Sequence, residues 1–335
     1  MQSSAVSRLT QSALNGIIAP VRKDYDAVNA ELNIVLTAEI PTAHDVSTYV
    51  ASNKGKGLRQ AIVLLAAACI GEITPAVRYG AAGVELLQTS TLLHDDVIDE
   101  SPLRRGKPSV NARWGNEIAV LMGDALLTQA LRLLVLTDSL AVMDVSARQT
   151  RELIEGEIYA RDLRATPDFA ETSYIELIRR KTGALMALAA IVGSMLGGGT
   201  DEQTNSMREY GYYLGMAFQI ADDLLDVMGD PRIVGKPTGQ DLRDGTVTLP
   251  LIRAIAAAPE NEAAAMREFV RAGVRTDSDW LRVREFIDRY DGIRSALATA
   301  HEFSHAAQKT LTQFDDSPAR RSMIKLLDYV IDRQL

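Results

Sequence analysis

Apolar residues recur at intervals of three and four along most of this 335-residue sequence, which is the spacing of one face of an α-helix. Val84, Leu87 and Thr91, with the pair Leu92–Leu93 next to it, follow this spacing, and no segment alternates like a β-strand for more than a few positions. Proline and glycine separate the helical stretches, but no break is long or polar enough to be an interdomain linker. The sequence therefore predicts an all-α fold, with residues 1–335 forming a single domain.

The composition and the net charge exclude several classes of protein. Apolar residues make up 47% of the chain, and the net charge of −8 argues against a nucleic-acid binder, which needs a basic surface. The longest uninterrupted apolar run, from Ala61 to Ile70, is about half as long as a bilayer crossing requires. The single cysteine, Cys69, cannot form an internal disulfide, which fits a reducing compartment. We therefore expect a soluble, cytoplasmic protein.

Two acidic triplets with the spacing D-D-x-x-D lie within apolar helical patterns. Residues four positions apart share a helix face, so the carboxylates of one triplet repel each other unless a cation lies between them. Ligands that are all oxygens indicate Mg²⁺, which also binds substrate phosphates. The alternative is two solvated acidic surfaces without a metal. The triplets are Asp95-Asp96-x-x-Asp99 and Asp222-Asp223-x-x-Asp226.

Basic residues on glycine-rich segments accompany both triplets. They occur in residues 54–59 upstream of the first triplet, in residues 103–107 after it, and in Gly235-Lys236-Pro237 after the second. Glycine lets the backbone approach an anion closely, so this combination indicates a diphosphate bridged to the protein through Mg²⁺. No Walker P-loop occurs in the sequence.

Two histidine-containing patterns suggest other metal enzymes. His301 and His305 match the zinc-protease pattern H-E-x-x-H, but no histidine or glutamate follows to supply a third protein ligand. His94 next to Asp95 suggests a metal phosphohydrolase, a class that needs more histidines than the other three in this chain. Neither reading accounts for the paired triplets.

Together, these motifs resemble those of the trans-polyprenyl diphosphate synthase family. In the first half of the chain the resemblance rests on Gly55-Lys56-x-x-Arg59, Glu85-Leu86-Leu87-Gln88, the first triplet and Arg104-Arg105-Gly106. In the second half it rests on Lys181-Thr182, Phe218-Gln219, the second triplet, Gly235-Lys236, Gly239-x-Asp241-Leu242 and Thr248-Leu249-Pro250. The motifs occur in the family's order between residues 55 and 250.

The resemblance implies a helical bundle around a central cavity, with the two triplets facing each other across its mouth. It implies head-to-tail condensation, in which an allylic diphosphate loses diphosphate and isopentenyl diphosphate attacks the resulting cation. It also implies a cluster of three Mg²⁺ ions with substrate bound, for which Mn²⁺ could substitute, and a homodimer. We expect no nucleic-acid partner, and at most peripheral membrane contact for product release.

The resemblance also implies a role for individual residues. Asp95 and Asp99 would hold Mg²⁺ on one side and Asp222 on the other, with Asp96, Asp223 and Asp226 as auxiliary ligands. Isopentenyl diphosphate would contact Lys56, Arg59, Gln88 and Arg105. The allylic diphosphate would contact Arg104, Lys181 and Lys236, while Thr182 and Gln219 would present oxygen dipoles to the allylic cation.

The sequence departs from the commonest family pattern at four positions. Gln60 stands where proline usually follows the arginine, and Gly57 where a second basic residue is frequent. Gln88 replaces a histidine but can still donate a hydrogen bond to a phosphate oxygen. Thr246 occupies a position that is often lysine, which shifts more of the allylic-diphosphate binding to Lys181 and Lys236.

Small residues one turn before the first triplet predict the product length. Ser90 and Thr91 would lie directly beneath the metal site, with Leu87 a further turn down. In the resembled family an aromatic side chain here stops chain growth early. We therefore expect a long-chain, octaprenyl- or heptaprenyl-like product beyond C20. The alternative is that these residues ease helix packing and that another helix forms the cavity floor.

Three other functions stay open on the sequence. A short-chain synthase would make farnesyl or geranylgeranyl diphosphate with the same motifs. A class I terpene cyclase also ionises a prenyl diphosphate, but it would leave Lys56, Arg59 and Arg105 without a purpose. A non-catalytic prenyltransferase subunit typically loses one or both triplets, and this chain keeps both.

Overall fold

Nearly every element is a helix in the computed structural model, which describes residues 12–37, 39–228 and 238–332. A helical segment over 12–17 and the 3-10 turn Ala19–Val21 precede α1 (Arg22–Val35), α2 (Pro41–Ser52), α3 (Leu58–Ala68), α4 (Pro75–Ile98), α5 (Val110–Trp114), α6 (Asn116–Val135), α7 (Leu140–Ala165) and α8 (Glu171–Ile178). After a π-helical turn, Arg179–Gly183, follow α9 (Ala184–Leu196), α10 (Asp201–Met228), α11 (Gln240–Arg243), α12 (Leu249–Ala257), α13 (Glu260–Arg271), α14 (Asp277–Arg289), α15 (Gly292–Thr310) and α16 (Pro318–Asp332).

The strands of the described residues form one small hairpin between α4 and α5. Its antiparallel strands, β1 (Leu103–Arg104) and β2 (Lys107–Pro108), pair Leu103 with Pro108 and Arg104 with Lys107. Arg105 and Gly106 at its tip both have positive φ, of 55° and 74°. The expected all-α fold is confirmed, because this hairpin is too short to form a layer of its own.

Helix α9 lies at the centre of the bundle. Its residues 184–194 are all buried, and it packs against α3, α4, α7 and α10. A helix that is apolar on every side has no solvent-facing surface, so it must be enclosed by other helices. Its neighbour α3 is buried almost as completely. These two helices form the centre around which the helices with the acidic triplets are arranged.

Helix α6 is long and apolar enough to cross a membrane by length and composition alone, with a mean hydropathy of 1.7. One face of it, including Ala119, Met122 and Leu126, is buried against α4. Helix α6 contains no long uninterrupted apolar run, because the charged residues Glu117, Asp124 and Arg132 divide its apolar sequence. The contact with α4 accounts for the apolar residues on one face only.

A smaller apolar cluster lies towards the C-terminus, where α12, α13 and α14 enclose Trp280 and Phe286. His301, Glu302 and His305 are exposed on α15. No group of three side chains suited to hold a metal ion is found there or elsewhere in the described part of the chain.

The starts of α3 and α4, two helices that carry motifs, are determined by nearby residues. Helix α4 starts at Pro75 after Thr74, whose hydroxyl accepts a hydrogen bond from the Val77 amide. Helix α3 starts after Gly57, whose φ of 59° favours glycine. A Cβ at Gly57 would also collide with the Tyr25 hydroxyl. These two facts explain why glycine stands where the resembled family often has a basic residue.

Candidate active site

The three carboxylates of the first triplet have different surroundings at the end of α4. Burial raises the pKa of Asp95 to about 7, and the charges of Glu157 and Asp99 act in the same direction. Asp99 is more exposed and accepts a hydrogen bond from Arg164 of α7 at 3.2 Å. Burial is the main cause of the raised pKa of Asp95, and the charges of Lys181 and Arg104 oppose it.

The middle carboxylate of this triplet is paired within the protein. Asp96 is 3% exposed, and its Oδ1 accepts a hydrogen bond from Arg104 Nε at 2.9 Å and another from the same guanidinium. The Asn111 side chain donates to the Asp96 backbone carbonyl at 3.0 Å. Asp96 thus fixes the hairpin residue Arg104 beside the triplet, where the sequence places an allylic-diphosphate contact.

The second triplet, on α10, has one solvent-facing and two engaged carboxylates. Asp222 is exposed. Asp223 is buried and accepts hydrogen bonds from the Tyr174 hydroxyl at 2.6 Å and from Gln219 Nε2 at 2.8 Å. Burial raises the pKa of Asp223 above its ordinary value. Asp226 accepts the backbone amides of residues 240 and 241 at the start of α11. Only Asp222 presents its carboxylate openly to solvent.

Thr182 and Gln219 belong to one hydrogen-bond chain with the second triplet. The Thr182 hydroxyl donates to Gln219 Oε1 at 2.7 Å, and Gln219 in turn donates to Asp223. The orientation of the Gln219 amide is thereby fixed. The two residues lie together, as the sequence predicts, and their role toward an allylic cation stays a prediction.

Lys181 and Thr182 lie in the π-helical turn between α8 and α9. Two glycines let neighbouring helices approach this turn closely. A Cβ at Gly156 of α7 would lie 2.9 Å from the Lys181 backbone nitrogen, and one at Gly215 of α10 would lie 2.6 Å from Gly183 Cα. The turn is therefore held between α7 and α10, and π-turns of this kind are frequent at functional sites.

Lys181 connects the two halves of the site. Its Nζ donates to Glu157 Oε2 at 2.8 Å, and its charge acts on Asp95 of the first triplet. Together with Gln219 and Asp223 it also lines a cavity of about 150 Å³. One lysine thus lies close to both triplets.

A larger cavity, of about 650 Å³, lies between α1, α2, α3 and α4. All four residues that the sequence assigns to isopentenyl diphosphate line it, namely Lys56, Arg59, Gln88 and Arg105, and Asp96 and Arg104 line its edge. Burial lowers the pKa of Arg59 to about 10. Among the described residues, no acceptor lies within hydrogen-bonding distance of its buried Nε. Such a donor favours an anionic ligand.

Glu85 of α4 is the counter-charge in this cavity. Burial raises the pKa of Glu85, while the charges of Arg59, Arg105 and Lys54 lower it. Its Oε2 accepts the backbone amide of Gln60 at 3.3 Å. A proline at position 60 could not donate this hydrogen bond, so the departure from the family pattern adds a contact.

Three other predicted residues and one basic residue complete the comparison with the sequence. Ser90 is 1% exposed and its hydroxyl donates to the Gly123 carbonyl of α6 at 2.8 Å, so it faces the contact between α4 and α6. Leu87 is buried, and the Thr91 hydroxyl donates to the Gln88 carbonyl. Their role in product length stays a prediction. Lys236 lies outside the described residues.

The donor set fits a hard divalent cation. Asp95, Asp99 and Asp222 offer oxygen atoms only, and Asp95 lies among like charges that a cation would relieve. Within the described ranges no three such side chains converge on one point. That arrangement suits Mg²⁺, which takes one or two carboxylates and completes its ligands with water and substrate phosphates.

Comparison with known proteins identifies the family. The family model described as polyprenyl synthetase matches residues 40–286. The chain belongs to this family. It is 34% identical over 320 residues to the all-trans-nonaprenyl-diphosphate synthase (geranyl-diphosphate specific) of Rhodobacter capsulatus, covering 95% of this chain and 97% of that protein. The family predicted from the sequence is therefore confirmed.

Solved structures of this family share the fold. A decaprenyl diphosphate synthase from Rhodobacter capsulatus matches with a TM-score of 0.90 and 34% identity, over 96% of this chain and 99% of that chain. A polyprenyl synthase from Caulobacter crescentus CB15, complexed with calcium and isoprenyl diphosphate, matches with a TM-score of 0.88 and 32% identity. That match covers 96% of this chain and 98% of the other.

Several residues of the site belong to none of the sequence motifs. Glu157 and Arg164 of α7 both face the first triplet, and Tyr174 of α8 bonds the second. The only signal available was the spacing of seven between Glu157 and Arg164, which places both on one helix face. Glu85 lies in the motif Glu85-Leu86-Leu87-Gln88, but the sequence predicts no role for it.

Proposed function

We propose that this protein condenses isopentenyl diphosphate head-to-tail onto an allylic diphosphate and releases diphosphate, making a long-chain all-trans polyprenyl diphosphate. The observation that carries the proposal is the presence of two separate cation-lined cavities beside the triplets. One contains Lys56, Arg59 and Arg105, and the other contains Lys181. Two such cavities suit two diphosphate substrates, whereas a terpene cyclase binds one.

The chemistry needs charge stabilisation and no protein nucleophile. Lys181, which lines the smaller cavity, and Arg104, which is held by Asp96, would stabilise the negative charge that grows on the departing diphosphate. Asp95, Asp99 and Asp222 would hold Mg²⁺, with Mn²⁺ as a substitute. When bound, the metal would neutralise the leaving group as a Lewis acid. The hydrogen-bonded pair Thr182 and Gln219 would present oxygen atoms to the cation.

A long-chain product is favoured by the names of the similar proteins and by the small side chains above Leu87. The relatives described above are a nonaprenyl and a decaprenyl diphosphate synthase. Ser90 and Thr91 carry no aromatic ring that could close a channel near the metal site. A farnesyl or geranylgeranyl diphosphate synthase is the second candidate, and product analysis separates the two.

We also propose that two copies associate through α6 and α7. At 1.5 Å per residue these helices are about 30 and 39 Å long, sufficient for a standard interface of about 1,600 Å². Leu140, which is 88% exposed, is one of seven large apolar side chains that are exposed on these two helices. A large exposed apolar patch normally marks an interaction surface. The other exposed apolar side chains on the two helices are Val120, Leu121, Leu131, Val135, Ile154 and Ile158. Association would cover the exposed face of α6, which favours a cytoplasmic enzyme with at most peripheral membrane contact.

Product analysis tests the activity. The protein is incubated with labelled isopentenyl diphosphate, Mg²⁺ and allylic primers of several lengths, and the dephosphorylated products are separated by chromatography. We expect products beyond C20 that disappear with chelator or in Asp222→Asn. The matched control is Glu302→Gln, an exposed carboxylate on α15 that belongs to neither triplet and lines neither cavity. Products of C15 or C20 alone would favour the short-chain alternative, and no product with any primer would overturn the proposal.

A further inference from the structure

Glu157 is a carboxylate that belongs to neither triplet, yet it is paired with Lys181 and its charge acts on Asp95 of the first triplet. It extends from α7 and accepts the hydrogen bond of Lys181 at 2.8 Å. Its side chain is 23% exposed and that of Lys181, which lines the smaller cavity, is 38% exposed. The charge of Glu157 acts on Asp95 in the same direction as that of Asp99, a second carboxylate of the same triplet.

The backbone of α7 is shaped to bring Glu157 to this place. A Cβ at Gly156 would lie 2.8 Å from Arg180 Cβ, so only glycine there lets α7 lie directly against the π-helical turn. Glu157, which follows Gly156, therefore contacts Lys181, which follows Arg180. The contact is part of the packing of the two segments rather than a chance meeting of long surface side chains.

Without Glu157, the charges at this point would rearrange. Lys181 would lose its hydrogen-bond partner, while its charge would still attract the carboxylate of Asp95. An ion pair between those two residues would occupy a carboxylate that a metal ion needs and an ammonium group that a diphosphate needs. Glu157 offers Lys181 a different partner.

We propose that Glu157 is a positioning residue that holds Lys181 apart from Asp95, so that metal and diphosphate can bind together. The inference rests on the proposed function for the identity of the diphosphate ligand. It predicts that Glu157 acts through Lys181 and on metal-dependent diphosphate binding, rather than on the fold or on the cavity that contains Arg59.

Binding without turnover is the direct test. Inorganic diphosphate is titrated into wild type and Glu157→Gln by calorimetry, with and without Mg²⁺. The amide keeps the size of the side chain but removes its charge, and we expect metal-dependent affinity to fall about tenfold, the effect of losing one charge-assisted contact. The KM for isopentenyl diphosphate should change less than twofold. Glu157→Asp, which keeps the carboxylate, should restore most of the affinity.

The matched control is Glu155→Gln. Glu155 lies on the same helix and is also paired with a basic residue of the turn, Arg180, at 3.0 Å. The carboxylate of Glu155 is 43% exposed, so this substitution should leave diphosphate binding unchanged. The double variant Glu157→Gln/Lys181→Gln should bind no more weakly than Lys181→Gln, because Glu157 acts through that lysine.

Three results would overturn the proposal. They are wild-type affinity in Glu157→Gln, an equal loss in Glu155→Gln, or additive losses in the double variant. Thermal unfolding identifies a variant that has lost its fold, and Glu157→Asp then serves as the test, with wild-type binding expected. If wild type makes no prenyl product, the proposed function fails, while the diphosphate titrations still decide the role of Glu157.

Discussion

Replacing Asp95 by asparagine should make the metal-free protein more stable while nearly abolishing its activity. Burial and the charges of Glu157 and Asp99 raise the pKa of Asp95 from 3.8 to about 7. At 1.36 kcal/mol per pKa unit, the charged form is therefore disfavoured in the folded state by at most about 4 kcal/mol. Asparagine carries no charge, so it removes this destabilisation.

The effect depends on pH in a direction that follows from the raised pKa. Between about pH 4 and pH 7 the folded protein keeps a proton on Asp95 that the unfolded chain has released, so wild type loses stability as the pH rises. The unfolding entropy of a chain this long is about 0.7 kcal/mol/K, so 4 kcal/mol corresponds to about 6 °C in Tm. The Tm advantage of Asp95→Asn should grow from pH 5 to pH 7 and then level off.

Thermal unfolding in the presence of chelator measures this difference. Asp99→Asn is the control, because Asp99 is more exposed and is paired with Arg164, so its loss should bring no such gain. Addition of Mg²⁺ and diphosphate should stabilise wild type but not Asp95→Asn. The variant should also lose about 10²–10³ in kcat. A Tm advantage that is absent at pH 8, or that shrinks as the pH rises, would refute the reasoning.

Substitutions at four further positions test the cavities, the turn and the product length. Arg59→Ala should raise the KM for isopentenyl diphosphate about 10- to 100-fold, whereas Lys181→Ala should act on the allylic partner or on kcat. Kinetics with each substrate varied in turn separate the two, and equal responses would mean that the cavities are misassigned. Gly156→Ala should lower the free energy of unfolding by about 1–3 kcal/mol, because its Cβ would collide with Arg180, and an unchanged urea midpoint would contradict that close approach. Ser90→Phe should shorten the product sharply while Ser90→Ala leaves it unchanged, and chromatography showing equal lengths for both would remove Ser90 from the control of chain growth.

The fold was predictable because its signals are local. Helical periodicity, the spacing of each triplet and the glycine-rich segments can all be read within ten or twenty residues. The resemblance to the family implied that Lys56, Arg59, Gln88 and Arg105 bind one ligand, and these four residues line one cavity.

The distribution of charge within the triplets was not predictable in the same way. The sequence marks Asp96, Asp223 and Asp226 only as acids, and their partners are Arg104, Tyr174 and backbone amides of α11. These contacts depend on how helices cross, which the spacing of residues along one helix does not determine. Glu157 was missed for the same reason, since its partner Lys181 lies in a π-helical turn that no propensity rule predicts.

The π-helical turn before α9 also limits how this part of the chain can evolve. A π-turn contains one residue more than the equivalent α-helical turn, and losing that residue would rotate α9 by about 100° about its own axis. Helix α9 carries no charged side chain, so such a rotation would bury no charge. It would break the hydrogen bond between Ser194 of α9 and Thr204 of α10, and it would disturb the close contact of Gly183 with Gly215. Insertions and deletions should therefore be much rarer in residues 179–183 than point substitutions at the apolar positions of α9.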